Sequence, residues 1–132
     1  MNSHNSIIIY QADDGQTTIE VQLDKDMLWL NLSQISELFE RDKSVISRHL
    51  KNIFDTGELL KNTTVAKNAT VQIEGEREVT REIEYFNLDA ILSVGYRVNS
   101  KRGTQFRQWA SGRLKDYLIK GYALNENRLQ EN

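Results

Sequence analysis

Hydrophobic and polar positions along this chain change period several times, and each change marks an element. Ser6 to Tyr10 and Thr18 to Leu23 are short β-like runs separated by Asp13-Asp14-Gly15, a turn signal. In the second run Ile19, Val21 and Leu23 alternate with polar neighbours, the period of a half-buried strand. Together they predict an N-terminal β-hairpin, and Leu28-Trp29-Leu30 adds a third short strand. Residues 1–5 carry no such pattern and are expected to be disordered.

The period then becomes helical. Leu32, Ile35, Leu38 and Phe39 fall on one side of a helix that Asn31 or Ser33 can cap, by accepting a bond from a free first-turn N–H. Glu40-Arg41-Asp42 interrupts the pattern. A second helix follows, with Val45, Ile46, Leu50, Ile53 and Phe54 apolar, Asp42 or Ser44 as its cap and Gly57 as its stop. This pair has the form of a helix-turn-helix. Its turn, Phe39 to Asp42, lacks the usual glycine and reads as about one residue long, where such turns commonly run to three or four.

Thr63 to Ile73 and Val79 to Phe86 predict a second hairpin. Val65, Ala69, Val71 and Ile73 share one face of the first strand; Val79, Ile83 and Tyr85 share one face of the other. Opposed residues must point the same way. Matching the two apolar faces therefore predicts a three-residue loop, Gly75 to Arg77, or a five-residue loop in the same register, and argues against a two-residue one. A hairpin directly after a helix-turn-helix is the layout of a winged helix.

Asn87 can cap a third helix with Leu88, Ile91, Leu92 and Gly95 on its buried side. Val98 to Gly103 reads as a basic, turn-rich loop. Thr104 to Lys120 is the strongest helical pattern, with Phe106, Trp109, Ala110, Leu114, Tyr117 and Leu118 at a 3.6-residue period and Gly121 placed for a C-cap. Asn125 to Asn132 is polar and reads as frayed. The predicted class is α+β: a winged helix-turn-helix with an N-terminal β-hairpin and a long C-terminal helix. It forms one domain over residues 6–122, and 123–132 is a polar tail leading to a further downstream region.

Composition narrows the function classes. The 132 residues suit one compact domain, and 39% hydrophobic with 27% charged residues is ordinary for a soluble one. The chain has no Cys, which excludes disulfides, Cys-based zinc sites and thiol nucleophiles and fits a reducing compartment. No signal peptide and no apolar run near the roughly 18 residues of a membrane span is present, so a cytoplasmic location off the membrane is expected. A net charge of -2 argues against a dedicated non-specific DNA coater. The charges are unevenly placed, however. Eight basic residues lie between Arg97 and Arg128 against Asp116 and Glu126, while the acidic excess sits at Asp13 to Asp26 and Glu74 to Glu84.

The second helix carries the candidate chemistry. Ile46, Leu50 and Ile53 would anchor it, leaving Lys43, Ser44, Ser47, Arg48 and Lys51 outward. Arg48 could reach guanine N7 and O6, and the serines base edges or phosphates. Lys43 and Lys51 suit phosphates. The plainer alternative is an amphipathic helical hairpin with a solvated charged face. The tip of the hairpin, Glu74 to Glu78, is acidic and would be repelled by phosphates; Lys67, Asn68 and Thr70 on the outer face are better candidates, unless the sheet only completes the core. Arg97, Lys101 and Arg102 lead into a helix start whose free N–H groups also favour anions. Besides phosphate contact, that segment reads as a solvated basic loop beside Phe106 and Trp109, or as a patch for another protein domain.

Enzyme readings find little support. His4 and His49 are the only histidines, and His49 has no helix-spaced carboxylate, as positions 45 and 53 are Val45 and Ile53. Alternation leaves Glu74, Glu76, Glu78, Glu82 and Glu84 exposed, and no dinucleotide fingerprint, P-loop or H-E-x-x-H motif is present. No catalysis, metal or cofactor is expected.

The stretch YRVNSKRGTQFRQWASGRLKDYLIKGYALNENRL, with the upstream YQADDGQTTIEVQLDKDMLWLNLSQISELFERDKSVISRHLKNIF, resembles the RhuM virulence-protein family of bacteria. The resemblance runs from about Ile8 to Leu129, and R-G-T-Q-F-R-Q-W-A and L-I-K-G-Y-A-L-N-E-N-R-L are its most specific motifs. It implies a protein of mobile elements and pathogenicity islands, of a kind described as DNA-binding, whose N-terminal region also occurs beside Fic/Doc-type domains. Relatives usually continue further, so a longer native protein is implied; these residues hold no Fic-type catalytic motif. The expected function is sequence-selective binding of double-stranded DNA by a transcriptional regulator or targeting domain, as a homodimer formed through the exposed sides of Thr104 to Lys120. The alternative is a protein-interaction module that docks a partner or a Fic/Doc-type domain through the Arg97–Arg113 region.

Overall fold

The computed structural model describes residues 6–24, 27–98 and 101–130, with side chains described up to residue 115 except at 6 and 70. The expected disorder of residues 1–5 lies outside the described residues. The fold is α+β. Strands β1 (Ser6–Gln11), β2 (Thr18–Asp24) and β3 (Met27–Asn31) precede helices α1 (Leu32–Phe39), α2 (Lys43–Asp55) and the one-turn α3 (Lys61–Thr64). Strands β4 (Val65–Glu74) and β5 (Arg77–Asn87) follow, then α4 (Leu88–Arg97) and α5 (Lys101–Gln130). The five strands form one sheet in the order β1-β2-β3-β5-β4, and every neighbouring pair is antiparallel.

Alternation along the strands sorts the sheet into two faces, and the helices cover one of them. Tyr10 opposes Ile19, Leu23 opposes Leu28 and Leu30 opposes Phe86, and all six are buried. Against this face pack Ile35, Leu38 and Phe39 of α1 and Ile91 and Val94 of α4, and Ile46, Leu50 and Ile53 of α2 join the same buried cluster against α1 and α4. The start of α5 is seated by aromatic rings: Tyr10 meets Phe106 edge-on at 5.2 Å and Trp109 at 5.0 Å between centroids. Helices α4 and α5 approach where both carry glycine. A Cβ on Gly95 would lie 2.9 Å from the Phe39 ring and 3.5 Å from the Gly103 Cα, so the buried Phe39 fills the space these glycines leave.

Three expectations are corrected. The β4–β5 loop has two residues, Gly75 and Glu76, since Glu74 pairs with Arg77 and Ile73 with Glu78. Gly75 has φ +65 and Glu76 a negative φ, the signature of a type II′ turn. The apolar sets of the two strands therefore point to opposite faces: Val71 opposes Thr80, and Ile83 opposes Asn68. The reason is local. Among the described residues from Lys67 to Glu84 none is buried, so no core layer rewards matched faces and the turn sets the register.

The second correction concerns α5, which begins at Lys101 and so takes in residues placed in a loop from sequence. The helix also continues through Gly121 to Gln130 instead of stopping there. A single interior glycine weakens a helix by about 1 kcal/mol, too little to end one without a further breaker, and the chain contains no proline. The third is the turn between α1 and α2. It spans Glu40, Arg41 and Asp42, an ordinary length, and Glu40 takes the left-handed conformation (φ 53) where a glycine would usually stand.

Candidate nucleic-acid interface

Local hydrogen bonding fixes where α2 begins and which way it faces. Helix α1 starts with a capping box: Asn31 Oδ1 accepts from the Gln34 backbone N–H at 2.9 Å, and Gln34 Oε1 accepts from Asn31 N–H at 2.8 Å. Gln34 Nε2 also donates to the Glu20 carbonyl at 2.8 Å, tying the helix to β2. After the left-handed Glu40 the chain re-enters helix at Asp42, whose carboxylate accepts from the Ser44 N–H at 3.1 Å and from the Ser44 hydroxyl. These bonds, the hydroxyl's first, hold the Asp42 carboxyl below its usual pKa.

Ile46, Leu50 and Ile53 are buried beneath α2, while Lys43, Ser44, Ser47, Arg48 and Lys51 are all exposed, as the apolar spacing predicts. Ser44, Ser47, Arg48 and Lys51 stand at helical offsets of three, four and seven and so share one face. The Ser44 hydroxyl proton is engaged with Asp42, which leaves that oxygen as an acceptor toward any ligand. Between these two rows sits His49, half-buried, with its pKa lowered by burial first and then by Arg48 and Arg97.

Ser47 and Lys51 also line an open groove of about 630 Å³ between α2 and the base of the second hairpin. Leu32, Leu50, Phe54, Ile83 and Phe86 form its apolar surfaces. Its charged groups are mixed: Lys51 and Lys61 against Asp55, Glu82 and Glu84. Sequence reasoning placed these glutamates on a solvated face and did not bring them to α2. Only the β3–β5 pairing does so, by laying β5 next to the strand that feeds α1.

The remaining basic candidates separate into distinct environments. Lys67 is exposed and its Nζ lies 3.4 Å from Glu82. Asn68 opposes Ile83 and, as the next residue in the strand, points to the other face, so the two do not form one outer surface as expected. Lys101 is exposed in the first turn of α5. Arg102 is largely withdrawn from solvent, its side chain 17% exposed. Its Nε donates to the Leu38 carbonyl at 2.5 Å, and its Nη1 contacts Glu40 and, at 3.4 Å, Asp14. Arg102 thus fastens α5 to the end of α1, to the turn and to the β1–β2 loop.

Where the sequence suggested a phosphate ligand, the structure gives Arg102 protein partners. The sequence shows a basic loop there, but its partners lie 62 to 88 residues away, and no local pattern announces them. The same holds for Arg97, whose Nη2 meets Glu58 Oε2 at 3.1 Å and links the end of α4 to the segment after α2. Asp14 gains from its place in the loop. Bonds from Thr17 and Gln16, and the Arg102 contact, push its carboxyl pKa far below the usual range.

Among the described residues no group of three or more His, Cys, Asp and Glu could hold a metal ion, and no helix is long and apolar enough to cross a membrane. No curated protein and no solved structure matches the chain. A family model does match, over residues 63–132, from the end of α3 through the second hairpin and α4 into α5. That span is narrower than the resemblance read from sequence, and it leaves α1 and α2 upstream. It nevertheless takes in just over half of the 132 residues, and with it the segment that carries the R-G-T-Q-F-R-Q-W-A motif: the chain belongs to the Virulence protein RhuM family.

Proposed function

We propose that this domain binds double-stranded DNA through α2, as a winged helix-turn-helix. The single observation that carries the reading is the division of α2 into a buried Ile46–Leu50–Ile53 row and an exposed row of Ser44, Ser47, Arg48 and Lys51. A helix so divided can lie in the major groove, with Arg48 on guanine and Lys43 and Lys51 on phosphates. The order β3-α1-α2-β4-β5 with sheet order β3-β5-β4 supports it, because it puts a hairpin beside the second helix of a helix-turn-helix. Recognition by one short helix is weak, so the working form is a homodimer on two half-sites. In a RhuM-family protein such a module serves as a cytoplasmic transcriptional regulator or as the targeting domain of a longer virulence-associated protein.

Titration of labelled duplex DNA at several salt concentrations tests this. The affinity falls steeply with salt, and changing Arg48 and Lys51 to Ala weakens binding and, through the lost Lys51 phosphate contact, lowers the slope of log affinity against log salt by roughly 1 per bound chain while circular dichroism is unchanged. Equal binding by parent and double variant would remove α2 from the interface.

The groove between α2 and the hairpin favours a second reading, a protein-interaction module. Its apolar surfaces and the carboxylates of Glu82 and Glu84 suit a partner segment better than a phosphate chain. Absence of any DNA binding at low salt would make this the leading reading.

A further inference from the structure

Strand β4 ends the sheet, so the backbone edge that faces away from β5 meets no other strand of the chain among the described residues. It is ten residues long, contains neither Gly nor Pro, and carries only Lys67 and Glu74 as charges. Natural edge strands are usually short, charged, bulged or covered. This one also belongs to a ribbon with no buried residue among those described from Lys67 to Glu84, and Val71 and Ile73 are 66% and 77% exposed. A two-stranded ribbon without a layer behind it is marginal in water, and a third strand is what stabilises it.

We propose that β4 pairs antiparallel with β4 of a second copy of the chain, about a two-fold axis at Val71, joining two five-stranded sheets into one. The strand is complementary to itself in this register. Opposed residues of an antiparallel pair share a face, and a two-fold axis normal to the sheet preserves faces, so the axis must pass through a residue. At Val71 it sets Val71 on Val71 and Ala69 on Ile73, which covers both exposed aliphatics. On the other face it sets Glu74 against Asn68, a neutral amide. Lys67 falls outside the overlap. An axis at Ala69 would instead oppose Lys67 to Val71 and drive the partner's tip past α3. An acidic strand from another protein would meet Glu78 and Glu82, which share the Val71 face one strand away; a second β4 brings its one acid to the opposite face.

Sequence placed a dimer contact on α5, whereas the unpaired edge and its self-complementary register favour β4. The axis keeps both helical layers on one side of the joined sheet, so the two α2 helices address the same surface. The pairing rests on the hairpin alone. It can fail while α2 still binds DNA, and DNA binding can fail while the pairing stands.

Because the chain has no cysteine, single-cysteine variants report the register cleanly. Under mild oxidation Val71→Cys gives a covalent dimer on a non-reducing gel. Thr80→Cys does not, since its two copies stand three strand spacings apart, roughly 14 Å, beyond disulfide reach. The parent chain sediments as a dimer, and the Val71→Lys/Ile73→Lys variant as a monomer with an unchanged circular dichroism spectrum. A monomeric parent, a dimer that survives the double lysine change, or cross-linking at Thr80→Cys equal to that at Val71→Cys would each overturn the proposal.

Discussion

Helix α2 and the hairpin that follows it are both amphipathic on paper, yet only the helix turns its pattern into structure. On α2 the apolar row faces α1 and α4, and Ile46 and Ile53 are fully buried while the polar row stays exposed. On the hairpin Val71 and Ile73 go to one face and Val79 and Ile83 to the other. What differs is the neighbour. A hydrophobic pattern has meaning only where a second layer rewards burial. Without one, the turn decides the register, and here Gly75 at φ +65 supplies it.

The largest test of this contrast removes the same side chain from both places. Ile53→Ala empties a fully buried site and costs about 2–5 kcal/mol. Ile73→Ala, at 77% exposure, changes stability by no more than about 0.5 kcal/mol in dilute protein. Urea denaturation midpoints measure both. Similar losses at the two positions would mean that the hairpin has a covering layer after all, and the contrast would collapse.

A smaller effect separates two arginines that the sequence presents as equivalent cations. Arg102→Ala removes charge-assisted bonds to the Leu38 carbonyl and to Glu40 at a site where the side chain is only 17% exposed, and stability falls by about 1.5–3 kcal/mol. Lysine does not restore it, since one ammonium cannot span three partners in the fixed fork of a guanidinium. Arg48→Ala, on the exposed row, leaves the denaturation midpoint within about 0.5 kcal/mol of the parent and, if α2 is the proposed recognition helix, registers only in DNA affinity. A stable Arg102→Ala protein that loses DNA binding would return Arg102 to the interface and undo its structural assignment.

The arginines also show how far the sequence could be read. Elements with local causes were legible. Asn31, Asp42 and Asn87 cap helices because each side chain bonds an N–H two or three residues on, and Ile46, Leu50 and Ile53 point inward because their spacing allows nothing else. What depended on distant partners was not. Arg102 could not be told from Lys101 without Leu38 and Glu40, and Glu82 and Glu84 reach the α2 groove only through the β3–β5 pairing. The left-handed Glu40 was equally hidden: a short turn without glycine reads as irregular until Arg102 is seen beside it, offsetting a conformation that L residues avoid by about 1–2 kcal/mol.

The smallest expected effect lies within α2 itself, at the boundary between its two rows. Burial, then Arg48 and Arg97, lower the pKa of His49 from an ordinary value near 6.5, so the folded state favours the neutral ring. For a base with a lowered pKa the sign is fixed. The contribution is fully present above the unfolded value and is lost as pH falls from about 6.5 through the folded value, because the unfolded chain then takes up the proton more readily. His49→Gln, which cannot titrate, loses less stability over that interval, so urea midpoints of variant and parent run parallel above pH 7 and draw apart below 6.5. Were the two to stay parallel down to pH 5, His49 would be as freely solvated as the hairpin, and the buried side of α2 would end at Ile46, Leu50 and Ile53.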